Sequence, residues 1–228
     1  MLFPELIQGT FIQRDNRFRA TVEIQGQETW AHVANSGRLG ELFTPGRPVW
    51  LAPATAPHRK TAYDLKLVEY GPVLVSVDAR LPNPLFAEAL AAGRLLDFPY
   101  PDIQAEVIHG HSRLDFHLSG PAGTCWVETK SVTLVEDGSA MFPDAPTSRG
   151  RKHLETLVQL RSSGVRAAAI FVIQRPDARR FRPYFEADPD FSEGLSQAAA
   201  AGVEVRAFTC QVSRQAISLA DEIPVQLK

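Results

Sequence analysis

The sequence predicts a two-domain protein of mixed α and β structure, in which an OB-like β-barrel precedes a domain of order αβββαβ. Residues 1–80 contain short alternating, β-branched segments separated by turn signals such as those at 35–37 and 45–46. After residue 80, segments with helical spacing alternate with apolar strands. The change in pattern predicts one domain over residues 1–80 and a second over residues 81–228.

The first domain is predicted from closely spaced strands with no strong helix between them. These strands cover residues 18–24, 28–34, 48–54, 63–70 and 73–79. Short strands at such intervals are typical of a small barrel or sandwich, and an OB-like barrel fits the length.

The second domain begins with a predicted helix, for which Asn83 is the N-cap, Pro84 the first helical residue and Gly93 the C-terminal cap. Three strands follow it. Further along the chain, a helix over 149–162 carries a mostly apolar stripe. The stripe consists of Leu154, Leu157, Val158 and Arg161. The remaining elements are a buried strand at 167–173, a helix at 191–201 and a strand at 203–209.

Composition limits the class of protein. Among 228 residues, 44% are hydrophobic and 22% are charged, which is ordinary for a globular protein. No apolar run approaches the ~20 residues that span a bilayer, and the first residues do not resemble a signal peptide. We therefore expect a cytoplasmic protein, in which Cys125 and Cys210 are reduced thiols.

The net charge of −2 argues against a protein that coats nucleic acid over its whole surface, but it allows a local basic groove. Positive charge is clustered in two segments of the chain. They are Arg149, Arg151, Lys152 and His153, and Arg175, Arg179, Arg180 and Arg182. The first cluster begins a helix capped by Thr147 or Ser148, where the helix dipole disfavours cations. A bound phosphate would offset this conflict, and so would neutralisation by Asp144 and Glu155.

Strand alternation predicts the candidate site. In the strand 113–118, Leu114, Phe116 and Leu118 would share the core face, and Asp115 would lie on the other face. The turn-like segment 119–124 brings the next strand back alongside. Its residues Glu128 and Lys130 lie about 7 Å apart on one face. We therefore expect Asp115, Glu128 and Lys130 to project together.

This trio has the chemistry of a metal-dependent phosphodiester site. Asp115 and Glu128 would hold Mg²⁺ or Mn²⁺, with the backbone carbonyl of Thr129 as a further ligand. Lys130 would orient a water or offset charge in a transition state. Glu88, in the preceding helix, would support the site or simply face solvent. The alternative is an exposed sheet face that carries an ordinary Glu–Lys pair.

A family resemblance covers nearly the whole chain. Its most specific segment is MFPDAPTSRGRKHLETL at 141–157. Other matching segments lie at 14–18, 32–42, 59–65, 83–90, 112–118, 127–134 and 171–178. The chain resembles the sugar fermentation stimulation protein A family of bacteria and archaea. It departs from that family at Ala34, Ser36 and Thr129, none of which removes a chemically active side chain.

The resemblance implies an N-terminal OB-like domain and a C-terminal domain of the PD-(D/E)xK nuclease-like fold. It places Asp115, Glu128 and Lys130 on the D…ExK core of that fold, and Glu88 on the acidic residue of its first helix. It also implies DNA binding, with a role in regulating maltose and other sugar-fermentation functions.

The barrel is expected to bind single-stranded nucleic acid through aromatic and basic side chains. The candidates are Arg14, Arg17, Phe18, Trp30, Arg38 and Trp50, with Arg59 and Lys60 in the same groove. Each tryptophan has an alternative place in the barrel core.

Two functions therefore stand at this point. The first is a DNA-binding regulator with a divalent-metal site, and the second is an active Mg²⁺- or Mn²⁺-dependent nuclease. An unrelated small-molecule hydrolase is disfavoured because the sequence lacks a Gly-x-Ser-x-Gly elbow and a Gly-rich phosphate loop. The expected partner is nucleic acid, and the oligomeric state is open, with a homodimer among the options.

Overall fold

The N-terminal third of the chain folds as a closed barrel in the computed structural model, which describes residues 1–54, 58–121 and 123–227. Its strands are β1 (Ile7–Asn16), β2 (Arg19–Ile24), β3 (Gln27–His32), β4 (Pro48–Pro53), β5 (Tyr63–Tyr70) and β6 (Val73–Ser76). The sheet order is β3-β2-β1-β4-β5-β6, and a short parallel pairing of β3 with β5 closes it. This confirms the OB-like barrel. The prediction missed β1, whose side chains alternate weakly and whose pairing with β2 contains irregularities.

The rest of the chain is built on a six-stranded mixed sheet of order β15-β14-β12-β9-β8-β7. Its elements are α1 (Pro82–Ala91), β7 (Asp102–His109), β8 (Ser112–Gly120), β9 (Gly123–Val132), β10 (Val135–Glu136), β11 (Ser139–Phe142), α2 (Ser148–Ser162), β12 (Arg166–Ile173), β13 (Arg180–Pro183), α3 (Pro189–Ala200), β14 (Glu204–Val212) and β15 (Ile217–Ile223). Strands β9, β12 and β14 are parallel, and β10, β11 and β13 form a small separate sheet.

Helices cover both faces of the large sheet, as the αβββαβ order predicts. Phe86 of α1 packs with Phe116 and Val127 on one face. Leu157 of α2 and Leu195 of α3 pack on the other face. The fold class predicted from sequence is confirmed. The sequence prediction omitted β10, β11, β13 and β15, which are short or lie at a sheet edge.

Helix α1 begins earlier than predicted. Its N-cap is Leu81, which makes no side-chain capping bond in the described residues, and Pro82 opens the helix. The assignment of Asn83 as N-cap was wrong because the Asn83 amide donates to Asp115 instead, at 2.8 Å. The other end agrees with prediction, since Gly93 follows the C-cap with a φ of 64°.

The predicted stripe of the second helix also needs correction. Thr147 caps α2, as expected, by accepting from the Gly150 amide at 3.0 Å. The buried side is formed by Gly150, His153, Leu154, Thr156, Leu157 and Leu160. Arg161 is exposed, because the stripe is rotated toward His153.

The barrel and the second domain are bonded to each other at several points. Ser76 donates twice to Gln174, from its amide to the backbone carbonyl at 2.9 Å and from its hydroxyl to the side-chain oxygen at 2.8 Å. On the other side of the contact, the Asp144 carboxylate accepts from the Leu39 amide at 3.3 Å. A Cβ at Gly37 would lie 2.4 Å from that carboxylate, so only glycine allows this approach. These contacts hold the barrel against the second domain.

Two further features bear on the predicted class of protein. In the described residues, Cys125 and Cys210 are buried and unpaired, and burial raises the pKa of each thiol to about 12. No helix of the described residues is long and apolar enough to cross a membrane.

Candidate functional site

A cleft lies between the barrel and the second domain. The barrel contributes Arg17 and residues 35–37 to its lining, and the second domain contributes strands β7 to β9 and the start of α2. The polar residues that the second domain contributes to the lining include Asn83, Glu106, Asp115, Glu128, Thr129, Lys130, Asp144 and Arg149. The three predicted residues Asp115, Glu128 and Lys130 are therefore brought to one place.

Glu128 is the most buried charged group of the cleft, with 3% of the residue exposed. One carboxylate oxygen, Oε1, bonds to both Lys130 Nζ and His153 Nδ1. Arg149 Nε donates to the other ring nitrogen of His153 at 3.4 Å. Because Nε2 accepts this bond, Nδ1 carries the hydrogen and donates to Glu128. The carboxylate is thus held by groups from both β9 and α2.

The second oxygen of Glu128 differs sharply from the first. Oε2 is buried and has no hydrogen-bond partner among the described residues. Buried carboxylate oxygens are normally satisfied by a donor or a cation. The side chain also lines the cleft. This oxygen therefore has the properties of a ligand position.

Asp115 is held by neutral donors. Its Oδ1 accepts from Asn83 Nδ2 at 2.8 Å, and its Oδ2 accepts from the Thr129 amide at 2.7 Å. The Thr129 hydroxyl lies 3.0 Å from the same oxygen and also bonds to Asn83. These contacts join α1, β8 and β9 at the carboxylate.

The two carboxylates have opposite pKa shifts. Burial raises the pKa of Asp115, the negative charge of Glu128 adds to the effect, and the bonds from Asn83 and Thr129 only partly oppose it. Burial also acts to raise the pKa of Glu128, but Lys130 and His153 outweigh it, so that pKa is lowered. Glu128 is therefore the more readily ionised group, and a cation beside Asp115 would favour its ionised form as well.

The position of Asp115 depends on an irregular backbone. Leu114 packs with α2, whereas Phe116 packs with α1, so the prediction that they share one face was wrong. Opposite Asp115 on strand β7 lies Glu106, which has a φ of 57°. Such a value is uncommon outside glycine and occurs at bulges and functional sites. Alternation holds in β9, where Glu128 and Lys130 do share a face.

The sequence prediction missed three contributors to this cleft. Glu106 bonds to Arg113 at 2.8 Å and lies 3.4 Å from the Asn83 amide. Asn83 was interpreted only as a cap, and His153 only as part of a basic cluster. The sequence held two signals for these contributors. One was a polar residue beside a proline that starts a helix, and the other was a histidine close to the apolar stripe of α2.

The cleft offers two carboxylates to a hard divalent cation, and no larger set of side-chain ligands among the described residues. Among the described residues, no group of three His, Cys, Asp or Glu side chains is close enough to hold a metal. Asp115 and the free oxygen of Glu128 offer two carboxylate ligands on the wall of an open cleft. Mg²⁺ commonly binds one or two carboxylates and completes its shell with water and phosphate. The residues therefore fit a cation of this class. Thr129 contacts Asp115 through its amide and hydroxyl, and its carbonyl remains a predicted ligand.

Glu88 lies outside the cleft lining. Its carboxylate pairs with the N-terminal ammonium of Met1 at 2.8 Å and approaches Arg94 at 3.9 Å. Its side chain is 41% exposed. The structure does not bring Glu88 together with Asp115, because it lies on the part of α1 that contacts the N-terminus.

The predicted DNA-binding residues of the barrel have different environments. The Arg14 guanidinium donates to the carbonyls of Arg17, Asn35, Gly37 and Arg38 at 2.6–2.9 Å. These bonds commit it to shaping the loop. Arg17 is exposed and lines the cleft, whereas Arg38 is exposed beside it. Trp50 is 8% exposed and belongs to the core, but Phe18 and Trp30 are half exposed.

The basic residues at the start of α2 also differ in where they lie. Arg149 faces the cleft. Arg151 pairs with Asp188 at 2.9 Å and with Asp190 at 3.4 Å, outside the cleft lining. Lys152 is exposed and lies outside it as well. The acidic partner expected from Asp144 or Glu155 is instead Asp188.

Comparison with known proteins finds matches for both the barrel and the second domain. Residues 12–77 match the family model described as "SfsA N-terminal OB domain", and residues 80–216 match "Sugar fermentation stimulation protein RE domain". The chain is 47% identical over 228 residues to a sugar fermentation stimulation protein homolog of Desulforamulus reducens, covering 100% of this chain and 95% of that one. It is 48% identical to a homolog of Moorella thermoacetica, with 97% of each chain covered.

A solved structure gives the same result in three dimensions. The structure of Pyrococcus furiosus SfsA in complex with Ca²⁺ is similar, with a TM-score of 0.92 and 34% sequence identity. The similarity covers 99% of this chain and 98% of that one. On the domain matches, the full-length relatives and this structure, the chain belongs to the sugar fermentation stimulation protein family.

Proposed function

We propose that this protein binds DNA in the cleft between its two domains and holds Mg²⁺ or Mn²⁺ between Asp115 and Glu128. The observation that carries the proposal is the buried Oε2 of Glu128, which has no partner among the described residues. Glu128 belongs to the lining of a cleft that also contains arginines. A cation bound there would neutralise two converging carboxylates and provide a contact for phosphate.

Support for the cation comes from chemistry and from a relative. Carboxylate oxygens are the ligands that hard divalent cations prefer. The Pyrococcus furiosus relative was solved in complex with Ca²⁺, which is also a hard cation. The contacts of Glu128 with Lys130 and His153 would hold one ligand in place before the cation arrives.

Support for DNA comes from two of the three exposed arginines that line the cleft, since the third, Arg80, is paired with Asp78 at 2.6 Å. Arg17 belongs to the barrel, and Arg149 begins α2. Guanidinium groups bind phosphate in a two-pronged geometry, and such contacts position a nucleic-acid backbone. The names of the relatives refer to stimulation of sugar fermentation. A DNA-binding regulator linked to maltose and other sugar fermentation accounts for both the names and the cleft.

A second candidate is a nuclease, which the contact of Lys130 with Glu128 favours. Lys130 would place its ammonium beside the scissile phosphate, offset developing charge and orient the attacking water. Asp115 and Glu128 would hold the cation, which when bound lowers the pKa of a water and polarises the phosphodiester. Arg17 and Arg149 would position the strand.

Binding is tested by fluorescence anisotropy with labelled DNA at several salt concentrations. The double variant Arg17→Ala/Arg149→Ala is expected to weaken binding by about tenfold or more and to reduce the salt dependence by about two phosphate contacts. Arg180→Ala, an exposed arginine outside the cleft lining, is the matched control. Equal affinity of the double variant and wild type would exclude the cleft as the binding site.

Calorimetry tests the cation site. Wild type is expected to bind Mn²⁺, and Asp115→Ala/Glu128→Ala is expected to lose that binding. The same affinity in both proteins would overturn the metal assignment. Incubation of single- and double-stranded DNA and RNA with Mn²⁺ then separates the two functions. Cleavage by wild type but not by Lys130→Ala identifies a nuclease, and intact substrates with wild type identify a binding protein.

A further inference from the structure

Three aromatic side chains form a strip on the outer surface of the barrel. They are Phe18, which is 49% exposed, Trp30, which is 48% exposed, and His32. Trp30 and His32 are two residues apart on β3, so they lie on the same face of the strand. Phe18 lies in the turn between β1 and β2, with its ring centre 6.4 Å from that of His32.

The side chains of this strip are held in place by local contacts. The Arg19 guanidinium lies 4.3 Å from the centre of the Trp30 ring. It also bonds to Asp15 at 3.2 Å, which fixes its position. His32 Nδ1 lies 3.0 Å from the Phe18 carbonyl oxygen and donates to it. The rings are therefore oriented while large parts of their surface remain in water.

Trp50 shows that the barrel can bury a tryptophan. It is 8% exposed, and its Nε1 donates to Glu69 at 2.8 Å. Trp30, on β3, is 48% exposed. Exposed apolar groups that cluster beside charged ones are a feature of ligand-binding surfaces. The contrast points to a contact function for the Trp30 side of the barrel.

The strip is continuous with the cleft. Arg17, which lines the cleft, is the neighbour of Phe18 along the chain. Lys60 lies beside Trp30 at a shallow depression on the same surface, and Arg19 stacks on the ring. Basic side chains therefore lie next to the aromatic rings, from Arg17 at the cleft to Arg19 and Lys60 beside Trp30. Glu28 also lines this depression, and its carboxylate would repel phosphate, so we expect the nucleic-acid backbone not to pass beyond it.

We infer that this strip is a base-stacking site for unpaired nucleotides, so that the ligand of the cleft is a single strand or a duplex with a single-stranded tail. The inference rests on the proposed function, because the strand would pass from the cleft over Arg17 to the strip. Bases of a single strand are free to stack on aromatic rings, whereas paired bases are stacked inside the duplex. Every base has an aromatic face, so the site would tolerate any sequence.

The experiment compares labelled single-stranded oligothymidylate with a labelled hairpin duplex, both in EDTA so that the cation site plays no part. Trp30→Ala and Phe18→Ala are each expected to weaken single-strand binding by about tenfold and to change duplex binding by less than about twofold. Trp30→Phe keeps an aromatic ring and is expected to retain most of the affinity. Phe185→Ala removes a 41% exposed aromatic of the second domain and serves as the matched control.

Two further readouts separate stacking from misfolding and from charge. Thermal unfolding of Trp30→Ala should match wild type closely, since the side chain is half exposed. The salt dependence of single-strand binding should be unchanged in Trp30→Ala but reduced in Arg17→Ala, because only the second variant removes a cation. Quenching of tryptophan fluorescence by oligothymidylate should be largely lost in Trp30→Phe.

The outcomes distinguish this inference from the proposed function. If wild type binds DNA through Arg17 and Arg149 while Trp30→Ala binds a single strand as well as wild type does, the stacking site is overturned and the cleft stands. Equal weakening of single-strand and duplex binding by Trp30→Ala also overturns it. Wild type that binds neither ligand, both in EDTA and with Mn²⁺ present, overturns both proposals.

Discussion

The two walls of the cleft present charge in different ways. On the wall formed by the large sheet, Glu128 is almost fully buried, and its partners Lys130 and His153 are buried or nearly so. On the barrel wall, Arg14 bonds to the carbonyls of its own loop, and Arg17 is left exposed beside it. One wall therefore carries a pre-positioned group of charges, and the other carries a hydrogen-bonded loop with an exposed charge.

This difference suggests a division of tasks. Buried charges lose little solvation when a ligand arrives, and they keep their geometry, which suits a cation and a phosphate that must be placed accurately. Exposed arginines contribute long-range attraction and backbone contacts that tolerate variation in the ligand. The difference is tested by removing one group from each wall and comparing effects on stability and on binding.

The largest effect is expected from Glu128→Gln. The change keeps the shape of the side chain but leaves the Lys130 ammonium without its anionic partner in a buried position. We expect a loss of about 3 kcal/mol in the free energy of unfolding, as for other broken buried ion pairs. Urea unfolding measures it. Glu155→Gln, an exposed glutamate of α2, is the control and should change stability by less than about 0.5 kcal/mol. A similarly small loss for Glu128→Gln would mean that Glu128 does not depend energetically on its contacts with Lys130 and His153.

The next largest effect is expected from Arg14→Lys on the barrel wall. A single ammonium cannot reproduce the bonds that the guanidinium makes to the four carbonyls of residues 17, 35, 37 and 38. We expect a loss of about 2 kcal/mol in the free energy of unfolding. DNA affinity should fall less than in Arg17→Ala. Arg38→Lys makes the same chemical change at an exposed position and should have almost no effect.

The sheet wall also shows how much of the site strand alternation can predict from sequence. Alternation in β9 correctly predicted that Glu128 and Lys130 share a face. The same argument was wrong at Leu114 because the backbone is irregular at Asp115, opposite the positive φ of Glu106. Alternation assumes a regular pleat, and a glutamate within a strand gives no warning of a bulge. The convergence of Asp115 with Glu128 depends instead on bonds from Asn83 and Thr129.

Contacts between segments that are distant in sequence were the second feature that sequence patterns could not predict. The helices and the barrel follow from local spacing, turn residues and apolar runs, and these were predicted. The bond from the Leu39 amide to Asp144 joins residues 105 positions apart, and Arg151 meets Asp188 across 37 positions. No local pattern encodes such pairs. The burial of His153 likewise depends on how α2 is rotated onto the sheet, which one stripe of apolar residues did not determine.

A smaller effect is expected from Asp188→Asn, which tests what holds the basic start of α2. Asp188 accepts from the Thr147 and Phe191 amides at 2.7 and 3.0 Å and pairs with Arg151. Burial acts to raise the pKa of Asp188, but these donors outweigh it, and the pKa is lowered. The carboxylate therefore stabilises the fold above its unfolded pKa of about 4, and this stability is lost as pH falls through the lower folded value.

We expect Asp188→Asn to lose about 1–2 kcal/mol at neutral pH. The difference from wild type should shrink as pH falls below about 4. Urea unfolding across this range measures both. Asp190→Asn, whose side chain is 79% exposed, is the control. A difference that stays constant down to the most acidic pH would show that the charge of Asp188 is not what stabilises the start of α2.

The smallest effect separates Arg149 from Arg151, which sequence grouped in one DNA-binding cluster. Arg149 faces the cleft and contacts His153 from outside, at 3.4 Å. Arg151 is already paired with Asp188 and Asp190. Arg149→Ala should weaken DNA binding by about threefold to fivefold and lower its salt dependence by about one phosphate contact. Arg151→Ala should alter DNA affinity by less than about twofold, because its charge is already neutralised within the protein. Equal losses for the two variants, measured by anisotropy at two salt concentrations, would extend the binding surface beyond the cleft and erase the contrast between its walls.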